Sequence, residues 1–133
     1  MAPVLAGEGI EWSDRSRLAR AVRNAELLSG LHFSLYVGAC EGDPRAFAER
    51  LHAGLPDAER SVLVLCDPAH RALEIVTGTE VRRTLTDSEC ALAAASMESS
   101  FLGGDLVGGL VAGVQQLGEA ARVPRTLHSQ QLI

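Results

Sequence analysis

The sequence contains no lysine, since all twelve of its basic residues are arginine. Mechanisms that need a lysine nucleophile, a Schiff base or a phosphate-binding lysine are therefore excluded, and with them Walker-type nucleotide triphosphatases and pyridoxal phosphate enzymes. Cysteine is also scarce, with only Cys40, Cys66 and Cys90. Their wide spacing fits neither a zinc motif nor a disulfide framework, so we expect reduced thiols in a reducing compartment.

Long apolar runs are missing as well. No stretch reaches the roughly 20 apolar residues that a transmembrane helix needs, and the first nine residues lack the basic and apolar regions of a secretory signal. We therefore expect a cytoplasmic protein. Its formal net charge of −5 gives no electrostatic reason to bind a phosphate backbone, so nucleic acid is not expected as a partner.

The 133 residues correspond to one globular domain. Residues 1–11, with one proline and two glycines, are interpreted as an N-terminal arm. Residues 12–122 are predicted to form the domain, and residues 123–133 a C-terminal tail.

The pattern of apolar residues predicts an α/β fold. Residues 32–38 and 61–66 read as strands joined by a helix, which makes a parallel βαβ unit. Residues 72–77 follow too closely for a crossover helix and are expected to pair antiparallel. We predict a three-layer α/β/α sandwich with a small mixed sheet and about four helices.

Helix boundaries are marked by capping residues. Ser13 or Asp14 is expected to cap the first helix, which Gly30 ends. Asp43 followed by proline starts the second. Thr86 to Glu89 forms a capping box for the third, which is expected to run to about residue 100, and Asp105 starts the fourth.

The carboxyl ends of parallel strands are the usual ligand-binding edge of an α/β sheet. We expect Cys40 and Cys66 near this edge, either as buried small residues or as a thiol site. Candidate ligand contacts in the loops around the sheet are Asp67, His70, Arg71 and Arg82. Turn and capping chemistry is the alternative for Asp67, and solvated loop positions are the alternative for the others.

The first predicted helix carries a row of arginines on the side opposite its apolar residues. These are Arg15, Arg17, Arg20 and Arg23. Such a row either docks an acidic partner or is simply a solvated face.

The segment from Ser61 to about Gly118 resembles the TPM domain family, whose name combines a thylakoid acid phosphatase, a photosystem II repair protein and a receptor modulator. The residues that carry the resemblance keep the family's spacing from Gly78 to Asp87 and from Phe101 to Val114. They are VLVLC at 62–66, Arg71, Gly78, Leu85-Thr86-Asp87, Phe101, Gly104-Asp105, Gly109-Leu110 and Gly113-Val114. The composition, without lysine and rich in alanine and arginine, is similar to that of an actinobacterial branch of unknown function.

The resemblance implies an α/β/α sandwich, with acid phosphatase activity or divalent-cation binding in some members. Of the family's acidic positions only Asp87 and Asp105 carry over, as candidate Ca²⁺ or Mg²⁺ ligands at the starts of adjacent helices. His70 replaces the family's turn aspartate, and Arg82 replaces a glutamate, which puts a positive charge where a cation would sit.

Two functions are therefore expected. The first is a TPM-like binding or interaction module without robust catalytic activity and without catalytic residues. It takes a small ligand or a protein, and a membrane-anchored partner is among the alternatives. The alternative is a divalent-cation-dependent, acid phosphatase-like phosphohydrolase. Phe101, Leu110 and Val114 are expected to be core residues in either case.

Overall fold

The computed structural model describes residues 4–5 and 11–123. Eight regular elements follow one another along the chain. They are β1 (Val4–Leu5), α1 (Trp12–Ser29), β2 (His32–Val37), α2 (Pro44–Ala53), β3 (Ser61–Asp67), β4 (Ala72–Thr77), α3 (Asp87–Leu102) and α4 (Leu106–Ala120). Single 3-10 turns lie at Ala58–Arg60, Pro68–His70 and Val81–Arg83.

The strands form one mixed sheet in the order β1, β2, β3, β4. β1, β2 and β3 are parallel, with His32 opposite Ser61 and Val37 opposite Cys66. β4 is antiparallel to β3, with Val62 opposite Thr77. The predicted parallel unit and antiparallel strand are confirmed. The arm contains one element that was not expected, because Val4–Leu5 adds a parallel strand beside β2.

The helices cover the two faces of the sheet unequally, which confirms the predicted α/β/α sandwich. α1, α4 and α3 cover one face, where alternate strand residues such as Phe33, Leu35 and Val64 join the larger core cluster. α2 alone covers the other face, over Leu63, Leu65 and Val76. Every residue of β3 is buried, as its nearly continuous apolar sequence predicts.

Most helix boundaries follow the capping signals. Gly30 ends α1 in the left-handed conformation, with φ of 74°. The side chain of Asp43 accepts a hydrogen bond from the Ala46 N–H at the start of α2. The Thr86 and Glu89 capping box is formed as predicted. The cap expected for α1 is wrong, because that helix begins at Trp12 after Glu11, and Glu11 makes no side-chain cap bond.

Two glycines are required by close approaches. A Cβ on Gly78 would overlap the carbonyl oxygens of Ala58 and Glu59, so this position after β4 accepts only glycine without a backbone shift. A Cβ on Gly118 would lie 2.8 Å from the Ala25 Cα, so glycine lets α4 pack directly on the backbone of α1.

The ends of the domain are partly described. The Val123 N–H donates to the Leu28 carbonyl, which ties the chain three residues after α4 to the end of α1. Residues 124–133, the rest of the predicted tail, lie outside the described residues. Within the described part of the chain, no helix is both long and apolar enough to cross a membrane.

The predicted core is confirmed for Leu110 and Val114, which are buried in the larger core cluster. It is corrected for Phe101, which is only partly buried and packs against the edge of the larger cluster. The reason is its position one residue before the end of α3, which runs to Leu102 rather than to about residue 100. There the ring lies beside Gly109 of α4 but is not fully enclosed.

Candidate functional site

Three of the sequence candidates meet at the turn that joins β3 to β4. Asp67 ends β3, His70 lies in the following 3-10 turn, and Arg71 leads into β4. This turn is at the carboxyl ends of the parallel strands, as the sequence predicts. The structure brings these three residues together, whereas Arg82 lies beyond the other end of β4.

Asp67 is occupied by contacts within the protein. Its carboxylate is 1% exposed, and Oδ2 accepts hydrogen bonds from the Cys40 N–H at 3.0 Å and from His70 Nδ1 at 2.8 Å. The hydrogen bond from the Cys40 backbone N–H is the main cause that lowers the pKa of Asp67, and His70 lowers it further. Together they outweigh the burial of Asp67, which by itself would raise the pKa. Asp67 therefore ties the loop after β2 to the turn after β3, as the turn-chemistry alternative predicts.

Arg71 has an unusual backbone for a residue with a side chain. It lies in the left-handed region with φ of 53°, at the end of the Pro68–His70 turn. Its side chain is exposed and makes no ion pair with any residue from 11 to 123. The turn therefore presents an available guanidinium at the carboxyl edge of the sheet.

An apolar pocket lies beside Arg71, between the sheet edge and the turn from α3 to α4. Its volume of about 530 Å³ is typical of small-molecule sites. Its apolar lining comes mainly from Leu73, Phe101, Leu102 and Leu106. Leu102 is 81% exposed, which is high for a leucine and places it at the mouth.

The charged groups of the pocket lining are Asp67, Arg71 and Glu98. Because Asp67 is already bonded inside the protein, Arg71 and Glu98 are the charges that remain for a ligand. Glu98 is exposed and, like Arg71, forms no ion pair with the part of the chain that the structure describes. The site thus combines an apolar interior with one available cation and one available anion.

The turn from α3 to α4 shapes one wall of the pocket. Gly104 adopts φ of 88°, and the Asp105 side chain accepts the Gly108 N–H at 2.9 Å to start α4. A Cβ on Gly109 would lie 2.7 Å from the Ser100 Cβ, so α4 approaches α3 closely here. These features hold Phe101 and Leu106 beside the sheet edge.

Asp87 and Asp105 do not share a site. Asp87 begins α3 and Asp105 follows its end, so the 16 residues of α3 separate them by about 24 Å of helix. Both carboxylates lie at helix N-termini, where the helix dipole and unpaired N–H groups stabilise a negative charge without a metal. Among the described residues no three acidic, histidine or cysteine side chains are grouped as metal ligands would be. Each aspartate by itself remains a predicted ligand.

Arg82 belongs to a different groove, of about 500 Å³, along the open edge of β4. Its Nη1 donates to the Thr77 carbonyl at 3.2 Å. Asp87 lines the same groove, together with Arg45 and Glu49. The candidate residues are therefore divided between two sites: Asp67 and Arg71 line the apolar pocket, and Arg82 and Asp87 line this polar groove.

Comparison with known proteins assigns the family. A family model described as "Domain of unknown function (DUF5130)" matches residues 8–118, which is most of the chain. The chain belongs to the DUF5130 family.

Two curated relatives of this DUF5130 chain come from Mycobacterium tuberculosis. They are uncharacterized protein MT2543 of strain CDC 1551 / Oshkosh and uncharacterized protein Rv2468c of strain ATCC 25618 / H37Rv. Each is 31% identical over 87 residues, covering 65% of this chain and 52% of the relative. The chain therefore spans about half the length of the curated relatives it matches.

Solved structures with this fold are known. The NMR structure of BA42 from Bizionia argentinensis is similar with a TM-score of 0.76 and 18% identity, covering 86% of this chain and 82% of that one. The N-terminal domain of cg2496 from Corynebacterium glutamicum gives 0.73 and 16%, covering 89% and 78%. An N-terminal domain from P. gingivalis gives 0.74 and 17%, covering 90% and 81%. At these identities the similarity establishes the fold of the DUF5130 domain.

Of the three cysteines of the DUF5130 domain, Cys66 is buried, whereas Cys40 and Cys90 are half-buried. Cys66 faces the three-helix core, while Cys40 packs against the cluster under α2, so the sheet edge separates their environments. Burial raises the pKa of Cys66 to about 11, and likewise that of Cys90. Since the thiolate is the reactive form, all three thiols are poor nucleophiles at neutral pH, because burial also raises the pKa of Cys40.

Sequence reasoning missed the apolar half of the pocket. Leu73, Leu102 and Leu106 come from three elements, and nothing in their spacing announces a shared cavity. One signal was present in the sequence. Leu102 is an apolar residue immediately before two glycines, a position typical of the exposed end of a helix.

Proposed function

We propose that this domain is a TPM-like binding module. It holds a small ligand, with an apolar body and one anionic group, in the pocket at the carboxyl edge of its sheet. The observation that carries the proposal is the pocket itself, in which Leu73, Phe101, Leu102 and Leu106 surround a space beside the available guanidinium of Arg71. The TPM assignment and a cytoplasmic location both remain part of this proposal, as does the actinobacterial source suggested by composition.

The apolar lining supplies the affinity. Removing apolar ligand surface from water contributes roughly 25 cal/mol per Å², and the pocket is large enough to enclose a bicyclic aromatic or a branched chain. Leu102, which is 81% exposed, gains cover when the pocket is filled.

Arg71 is the residue that would bind the anionic group of the ligand. A guanidinium binds a carboxylate, sulfonate or phosphate through two parallel hydrogen bonds. The backbone of Arg71 is held at the end of a hydrogen-bonded turn, where the Arg71 N–H donates to the Pro68 carbonyl at 3.3 Å. Glu98 on the same lining disfavours a second negative group, so a ligand with one anionic end fits best.

The pocket supports binding more than catalysis. Its potential reactive groups are Cys66, whose thiol stays protonated because burial raises its pKa to about 11, and Asp67, which is bonded to Cys40 and His70. Cation-dependent phosphohydrolysis is the less favoured function, because Asp87 and Asp105 lie at opposite ends of α3.

The proposal is tested with two fluorescent dyes of similar shape: anilinonaphthalene sulfonate, which is anionic, and phenylnaphthylamine, which is neutral. We expect both to bind the native protein. Arg71→Gln should lower the affinity for the anionic dye by about tenfold, because the charge contact is lost. The affinity for the neutral dye should stay within about twofold of the native value. Leu102→Ala should lower the affinity for both dyes, because it removes only apolar contact with the ligand.

Arg83→Gln is the matched control, since it removes an exposed arginine beyond the far end of β4 and should leave both dyes unaffected. Melting temperatures of all variants verify that dye binding reports the folded state. Equal effects of Arg71→Gln and Arg83→Gln would disprove the pocket assignment. Hydrolysis of an aryl phosphate by the native protein that EDTA abolishes would instead support the phosphohydrolase.

A further inference from the structure

The outward side of α1 combines exposed apolar and basic residues. Trp12, Arg20, Arg23 and Leu27 project within about 80° of one another around the helix axis, and we call them the outer face of α1. The opposite side of the helix, with residues such as Leu18 and Val22, is buried in the core. The outer face therefore takes no part in the core formed by residues 11–123.

The apolar members of this face are unusually exposed. Trp12 is 80% exposed and Leu27 is 78% exposed, although each would contribute stability if it were covered. They lie 15 positions apart, which separates them by about 22 Å along the helix. Trp12 is also the single tryptophan of the chain.

Charge is segregated onto the same helix. α1 holds four of the twelve arginines but only two of the 17 acidic residues of an otherwise acidic chain. Both acids are engaged, since Asp14 lies 3.7 Å from Arg17 and the Glu26 carboxylate accepts the Phe33 N–H at 2.9 Å. Arg20 and Arg23 form no ion pair within the described chain.

We propose that the outer face of α1 is a docking surface for an acidic helical segment of a partner protein. Carboxylates of the partner would pair with Arg20 and Arg23, and apolar side chains at its two ends would cover Trp12 and Leu27. Tryptophan and arginine are the residue types that most often dominate protein interfaces. Complementary charge would steer such a partner to the arginines of this face.

A protein partner fits these observations better than a membrane. Two apolar residues about 22 Å apart offer too little continuous apolar surface to insert among lipid chains. The net charge of −5 would also repel the rest of the molecule from an anionic bilayer.

The experiment uses a synthetic helical peptide as long as the 18 residues of α1, with glutamate at helical spacing, leucine at both ends and no tryptophan. Trp12 emission reports binding at the proposed face directly, because no other tryptophan contributes. We expect a blue shift that saturates with peptide and weakens as salt rises. The double variant Arg20→Gln/Arg23→Gln should bind about tenfold more weakly.

The matched control is Arg50→Gln/Arg83→Gln, which changes the net charge equally but lies on α2 and beyond β4. It should bind the peptide within about twofold of the native protein. A peptide with glutamine in place of glutamate should produce no shift. Equal weakening by both double variants, absence of any Trp12 shift, or a larger shift with phosphatidylglycerol vesicles than with the peptide would each overturn the proposal.

This surface is independent of the pocket. The double variant Arg20→Gln/Arg23→Gln should bind both dyes as the native protein does. Peptide binding that displaces the anionic dye would show that the peptide occupies the pocket instead, and would also overturn the docking proposal.

Discussion

The two faces of the sheet are stabilised in different ways. The face under α1, α3 and α4 holds the larger apolar cluster, which extends from Leu18 to Ala121 along the chain. The cluster under α2 contains four buried apolar residues, Ala48, Leu63, Leu65 and Val76, with half-buried residues around them. A single ten-residue helix cannot cover a four-stranded sheet, so this second face depends more on polar contacts at its edges.

Those polar contacts surround α2. The Arg45 guanidinium bonds to Glu49 on its own helix and reaches β4, where it donates to the Ile75 carbonyl at 2.9 Å. Asp67 ties down the loop that precedes α2 through the Cys40 N–H. His52 Nε2 lies 3.0 Å from the Ser61 carbonyl at the start of β3. Apolar packing therefore fixes the layer of α1, α3 and α4, whereas directed hydrogen bonds help to position α2.

The largest expected effect comes from a matched pair of leucines, one on each face. Leu35 and Leu65 are both 0% exposed, on adjacent strands. We expect Leu35→Ala to lower the free energy of unfolding by about 4 kcal/mol and Leu65→Ala by about 3 kcal/mol, because the thinner α2 layer can relax into the cavity. Urea denaturation of both variants measures the difference, and an equal or reversed order would refute the comparison.

The sequence predicts the fold well because its signals are local. The buried strand 61–66, the Asp43 and Thr86 caps and Gly30 each depend on neighbours within a few residues. β1 was missed because a two-residue strand carries no periodicity, and it is defined only by its pairing with Leu35 and Tyr36.

The candidate site was predicted only in part, because its geometry depends on contacts that are distant in sequence. Asp67 and Arg71 were found from their place after β3. The distance between Asp87 and Asp105 is set by the 16 residues of α3 between them, which the predicted helix already implied. The opposite environments of Cys40 and Cys66, by contrast, follow from the loop after β2 crossing the sheet edge.

A second test addresses the loop contacts of the α2 side through pH. The pKa of Asp67 is lowered in the folded protein, chiefly by the Cys40 N–H, so its stabilising effect is complete above its ordinary value of 3.8 and is lost as pH falls through the lower folded value. Asp67→Asn should therefore be less stable than the native protein at neutral pH. The stability difference should shrink as the solution is acidified below the ordinary value.

Asp43→Asn is the control for this experiment, since asparagine also caps helices well and Asp43 is exposed at the start of α2. Thermal melts of the three proteins between neutral and strongly acidic pH supply the comparison. If Asp67→Asn and the native protein lose stability in parallel on acidification, the carboxylate does not anchor this loop.

The smallest expected effect concerns the open edge of β4, where Arg45 and Arg82 donate to the carbonyls of Ile75 and Thr77. These outward carbonyls would otherwise be available to an added strand. Arg45→Gln should cost only about 0.5–1 kcal/mol, because the side chain is about half exposed. Glu49→Gln, which removes the partner on α2 but leaves the bond to β4, should cost less. Urea denaturation at matched ionic strength resolves the two, and equal costs would mean that the link between α2 and β4 adds nothing to the stability of the thinner face.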